Sequence, residues 1–82
     1  MLITAGYGGR MMPILMARSG DNVKVAKVVG NDAVRQRLGE LGFVAGTPVS
    51  VLQTHGGDMI VKVRDSRLAL TREMAAKVMV DM

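Results

Sequence analysis

Turn-forming residues recur so closely along this chain that only short elements fit between them. Gly30-Asn31-Asp32, Gly42, Gly46, Gly56-Gly57 and Asp65-Ser66 divide it into runs of a few residues each. Val23–Val29 is rich in β-branched valines, and Val49–His55, Asp58–Arg64, Arg67–Thr71 and Val78–Val80 are further strand candidates. Strands at this spacing, joined by tight turns, predict a mainly β, antiparallel small barrel or sandwich. His55-Gly56-Gly57-Asp58 sets a Gly-Gly pair between two alternating runs. Glycine supplies the positive φ that a two-residue hairpin turn requires, and Asp65-Ser66 is expected to turn the next hairpin.

The alternation assigns faces. Ile60, Lys62 and Arg64 alternate with Val61 and Val63, which predicts the valines in the core and the cations in water. Val28 falls out of phase with Val23 and Val25, which predicts a bulge near Ala26-Lys27. A single helix of any length is expected, capped by Asn31 or Asp32 and carrying Val34, Leu38 and Leu41 as its apolar stripe. Gly42 is its expected left-handed stop, and Gly39 inside it is read as marking a close packing contact. A shorter helical turn is expected from Thr71, and Pro13–Ala17 reads as a third short helix or an edge segment.

The chain has 82 residues, so it is one domain, with residues 12–82 as its folded part. Residues 1–11 are Gly-rich and low in charge, and read as a loosely ordered extension or a start-site artefact. The longest apolar stretch, Met11–Ala17, is far short of the roughly 20 residues of a membrane span. The N-terminus does not read as a signal peptide, so a cytoplasmic location is expected.

Catalytic chemistry is sparsely represented. With no cysteine there is no thiolate metal site, iron–sulfur cluster or thiol nucleophile. His55 is the sole histidine. His55 and Asp58 flank a turn and are the weak metal candidates, but two groups do not close a site. The serines have no triad pattern, and Gly56-Gly57-Asp58 lacks the Lys-Ser/Thr of a phosphate loop. An enzyme is not expected, and neither is a cofactor. The eight methionines lack a repeat that would hold Cu(I), and read as core filling or adaptable packing.

Eleven basic against seven acidic residues give a net charge of +4, which raises nucleic acid as a partner. Single-strand binders stack bases on exposed aromatics, and this chain has only Phe43, expected in the core, and Tyr7 near its start. A solvated basic face, or contact with a protein or membrane surface, fits better. Open strand edges and many methionines would also allow the chain to self-associate.

The pattern Arg35-x-Arg37-Leu38-x-x-Leu41-Gly42-Phe43-x-x-Gly46-x-x-Val49 resembles the ferrous iron transport protein A (FeoA) family. Met12-Pro13-Ile14, Gly56-Gly57, Val61, Arg67-Leu68-Ala69-Leu70 and Ala75 extend the resemblance from about Met12 to Val80. It implies an SH3-like antiparallel β-barrel with one or two short inserted helices. It also implies a cytosolic accessory protein of bacterial ferrous iron uptake, whose partner is the membrane transporter FeoB. In that reading Fe2+ is the transported ion of the system. The chain itself lacks ligands for a dedicated iron site. Similar domains close the C-terminus of iron-dependent repressors, so a barrel serving transcription, or a weak DNA binder, is the alternative. The expected contact surface is the Arg35–Phe43 helix-loop with a neighbouring strand edge. Arg35 and Arg37 would steer a partner there, and Leu38 or Leu41 would anchor it, unless both leucines and Phe43 are simply core.

Overall fold

The structure, a computed structural model, describes residues 11–81. The expected extension, apart from Met11, lies outside the described residues, as does Tyr7. Six strands form one antiparallel sheet: β1 (Met11–Pro13), β2 (Asn22–Val28), β3 (Pro48–His55), β4 (Asp58–Val63), β5 (Ser66–Leu70) and β6 (Val78–Asp81). Their order is β1-β6-β2-β3-β4-β5. Two α-helices interrupt the strands, α1 (Asp32–Glu40) and α2 (Arg72–Ala75), and a 3-10 turn spans Ile14–Met16. The segment read as either helix or edge is therefore both: edge strand β1 runs directly into the 3-10 turn.

The valine alternation builds the core. Val23 and Val25 of β2, Val49 and Val51 of β3, Val61 and Val63 of β4, and Val78 and Val80 of β6 are all buried. Ile14, Leu38, Phe43, Met59 and Leu70 fill the space between them. Burying side chains of this size contributes about 1.5–3 kcal/mol each relative to exposure. Two register shifts bend the sheet around this core, one between Val25 and Lys27 and one between Val51 and Gln53. The first is the expected bulge. The second, at Leu52, has no sequence signature because the apolar run continues through it.

The turns obey backbone chemistry, with one correction. His55 pairs with Asp58 across Gly56 and Gly57, whose φ values of 61° and 96° fit a primed two-residue turn. In the next hairpin Val63 pairs with Ser66, so the turn residues are Arg64 and Asp65. It sits one residue earlier than Asp65-Ser66, because core-facing Val63 fixes the register. Arg64 consequently takes a φ of 57°, a left-handed conformation unusual for a side chain of this type.

Helix α1 starts where the Asn31 side chain accepts a hydrogen bond from the Val34 amide at 2.9 Å. It ends in a Schellman turn. The Phe43 amide donates to the Leu38 carbonyl and the Gly42 amide to the Gly39 carbonyl, both at 3.0 Å, with Gly42 at φ 108°. The Thr71 hydroxyl caps α2, accepting from the Met74 amide. Gly39 does not mark a close contact: a Cβ built there meets nothing within 4 Å. Gly39→Ala is therefore expected to stabilise the protein by up to ~1 kcal/mol. Thermal unfolding should show the midpoint rising by a few degrees.

Candidate functional site

The helix-loop after β2 is fixed by Leu38 and Phe43, and both are core residues. Leu38 is fully buried at 0% exposure and Phe43 is 2% exposed. Leu38 is therefore not available as an anchor for a partner. It faces inward at the centre of the stripe, and the Schellman turn brings Phe43 in with it. Leu41, three residues on, lies at the margin of that stripe and is 37% exposed. Of the two leucines, Leu41 is the one a partner can reach.

Helical geometry sorts the remaining candidates. At about 100° per residue, Arg37 and Leu41 are i,i+4 neighbours on one flank of α1, while Arg35 lies on the other. Arg35 is also engaged locally, its guanidinium forming an ion pair with Asp32 at the start of the helix. Arg37 is exposed in the last turn, where a cation is favoured by the helix dipole. The structure thus brings Arg37 and Leu41 together and separates Arg35 from them.

Two further residues complete this surface. Val44 is 43% exposed just past Gly42, in the turn closed by the Thr47 amide on the Val44 carbonyl. The Arg64 side chain runs beside Gly42, its Cδ and Nε 3.9 Å from where a Cβ would stand. Arg64 is exposed at this junction, in the left-handed conformation that the β4–β5 turn imposes on it. The residues a partner can reach around the Gly42 turn are then the exposed apolar Leu41 and Val44, on either side of it in the chain, and the cations Arg37 and Arg64. Sequence reading missed Val44 and Arg64. Val44 carried one signal, an apolar residue between two turn glycines. Arg64 carried none, since only the folding of β4 against Gly42 brings it here.

The His55–Asp58 pair sits elsewhere, at the β3–β4 hairpin. The register sets the two residues opposite each other. An Asp58 carboxylate oxygen accepts from the Arg72 amide at 3.1 Å, tying the hairpin to the start of α2. Among the described residues, no three His, Cys, Asp or Glu side chains converge to hold a metal ion. The pair does not fit a closed metal site. No helix among the described residues is long and apolar enough to cross a membrane.

The FeoA domain family matches this chain over residues 12–82. The chain belongs to the FeoA family. A Methanocaldococcus jannaschii protein named "Putative Fe(2+) transport protein A" is 31% identical over 71 residues, covering 87% of each chain. The crystal structure of Stenotrophomonas maltophilia FeoA complexed with zinc, described as an SH3 domain protein, is 33% identical. That likeness has a TM-score of 0.77 and covers 85% of this chain and 89% of the other. The SH3-like architecture is thereby shared with a FeoA protein. A manganese-dependent transcriptional repressor has the same fold at 17% identity, with a TM-score of 0.81, over 92% of this chain and 43% of its own. The FeoA fold thus recurs as part of a longer repressor chain.

Proposed function

We propose that this FeoA protein is a non-enzymatic accessory factor of ferrous iron uptake that acts in the cytoplasm by binding the cytosolic part of the transporter FeoB. The observation that carries the reading is the Leu41–Val44 apolar pair with Arg37 and Arg64 beside it, on a chain of the FeoA family. Arginines beside exposed apolar side chains fit a protein interface: arginine is enriched among the residues that dominate binding energy and steers association, and the apolar pair adds area removed from water. Ferrous ion is the cargo of the system in this reading, and this chain contributes contacts to the transporter.

The test is a titration of the chain into the soluble G domain of FeoB from the same source, with a random DNA duplex as control at about 150 mM salt. Saturable binding to the G domain is expected. Arg37→Glu and Arg64→Glu together should weaken it about tenfold or more, whereas Arg35→Glu should change it little. All variants should keep thermal midpoints within a few degrees of the parent, since these side chains are exposed. Unchanged affinity in the Arg37/Arg64 double variant would reject this surface. Binding to DNA alone, falling steeply with salt, would instead favour a role in transcription, the reading that the fold shared with the repressor supports.

A further inference from the structure

Away from α1, the outer face of β3, β4 and β5 contains an arrangement that folding alone does not call for. Lys62 and Arg67 stand directly opposite each other on adjacent strands, both exposed. Like charges in that position repel and destabilise the pairing. Among the described residues, neither belongs to an ion pair; Arg35–Asp32 is the one formed. Lys62 and Arg67 end a polar row of register partners, Asn22–Ser50–Lys62–Arg67, in which the Ser50 hydroxyl donates to the Asn22 side-chain oxygen Oδ1 at 2.7 Å.

The neighbouring row on the same face is Gln53–Ile60–Ala69. Ile60 is 39% exposed there, and beside it lies a cavity of about 160 Å³ lined by Gln53, His55, Asp58, Met59, Ile60 and Ala69. Small-molecule sites usually enclose several hundred Å³. This one suits a single apolar side chain.

Strand β5 borders both rows and is the last strand of the sheet. The two-residue turn at Arg64-Asp65 makes Val63–Ser66 a hydrogen-bonded pair, so the pairs alternate along the hairpin from there. Lys62–Arg67 and Ile60–Ala69 are then the non-hydrogen-bonded pairs. The N–H and C=O groups of Arg67 and Ala69 accordingly point away from β4, toward the open edge. Of the two residues that present free backbone groups, Arg67 is one of the paired cations and Ala69 lines the cavity.

We propose that β5 accepts an extended acidic–apolar peptide segment of a partner protein as an added seventh strand. Its backbone pairs with Arg67 and Ala69. On the outer face a carboxylate lies by Lys62 and Arg67, and an apolar side chain two positions along enters the cavity beside Ile60. Strand addition of this kind draws affinity from main-chain bonds and specificity from alternate side chains. Charge selects this occupant over a second copy of the chain, because pairing two β5 edges brings two Lys62–Arg67 pairs onto one sheet face. The site uses other side chains than the Leu41–Val44 surface, which it adjoins through Arg64 in the β4–β5 turn, and it stands whichever protein supplies the segment.

The probe is a synthetic peptide of about seven residues, the length of an ordinary strand. It carries glutamate and leucine two positions apart in a threonine background, and the control peptide has lysine in place of glutamate. Titrated into the isotopically labelled full chain, the glutamate peptide should shift the Arg67 and Ala69 amide resonances and slow their hydrogen exchange. Lys62→Glu with Arg67→Glu should weaken that binding at least tenfold and admit the lysine peptide. Ala69→Pro should abolish binding of either peptide with little change in stability, because the lost N–H faces the open edge. Any of four results would overturn the proposal: equal binding of both peptides, shifts confined to the Leu41–Val44 surface, dimerisation through β5 in place of peptide binding, or no binding. Should Ala69→Pro fail to fold, the charge-reversed variant still decides the question.

Discussion

Leu38→Ala is expected to lower the stability of the protein by about 2–5 kcal/mol, the range for truncating a fully buried leucine. Leu38 is the one fully buried side chain that α1 contributes, so the cavity left behind removes what docks the helix. Its carbonyl also accepts the Phe43 amide in the turn that ends α1, and both side chains belong to the same core. Repacking is therefore limited on that side. For a domain of this size each kcal/mol moves the midpoint by roughly 4–8 °C, so a fall of about 8 °C or more is expected in thermal unfolding. Leu41→Ala is the control, since a side chain that is 37% exposed should cost less than about 1 kcal/mol. The opposite pattern is expected in binding to the G domain, where Leu41→Ala weakens the complex and leaves the fold intact. If instead Leu38→Ala unfolded no more easily than the parent, the inward assignment of Leu38 would be wrong.

The contrast between these two leucines shows how far local sequence pattern reaches. Val61 and Val63 alternate with Ile60 and Lys62, and the sheet buries the first pair and exposes the second, because side-chain direction in a strand is set by parity. The Asn31 cap, the Gly56-Gly57 turn and the bulge after Val25 are equally local, each written in residues that touch one another along the chain. Legibility fails where distant segments decide. Met11 pairs with Asp81, the two ends of the described chain, and no pattern around Met11 announces that partner. The β4–β5 turn is placed by the burial of Val63 against the core, which outweighs the cost of putting Arg64 in a left-handed conformation. Gly39 reads as a packing glycine by its place in a helix, yet the space above it is open.

The candidate site divides along the same line. Arg37 and Leu41 are visible in the helix pattern, because an i,i+4 pair is a local fact. The separation of Arg35 from them is visible too, once the inward side chain is known to be Leu38. Val44 and Arg64 become part of the surface only because the loop after α1 crosses the end of β4, which brings Val63 and Arg64 against Gly42. The β5 surface depends on register in the same way. Lys62 and Arg67 are five residues apart in sequence and become opposite neighbours only when the hairpin turns at Arg64-Asp65.

Gly42→Ala is expected to destabilise the protein by about 2–4 kcal/mol, combining backbone strain with overpacking. Gly42 has a φ of 108°, a value an L side chain rarely adopts, and a Cβ there would lie 2.9 Å from the Val63 Cγ1. Val63 is itself buried at the end of β4, so its methyl group has little room to withdraw. Gly46→Ala separates the two contributions. Gly46 has a φ of 89° but nothing within 4 Å of its Cβ position, so that substitution should cost the strain alone, about 1–2 kcal/mol. Measured by denaturant unfolding, the difference between the two variants is the clash with Val63. Equal losses would mean that β4 yields at that point and that packing does not require glycine. A larger loss at Gly42 should come with weaker binding to the G domain under conditions where the variant is folded. The same turn that sends Phe43 into the core holds Leu41 and Val44 outward, so relief of the clash displaces the exposed pair that the partner is proposed to use.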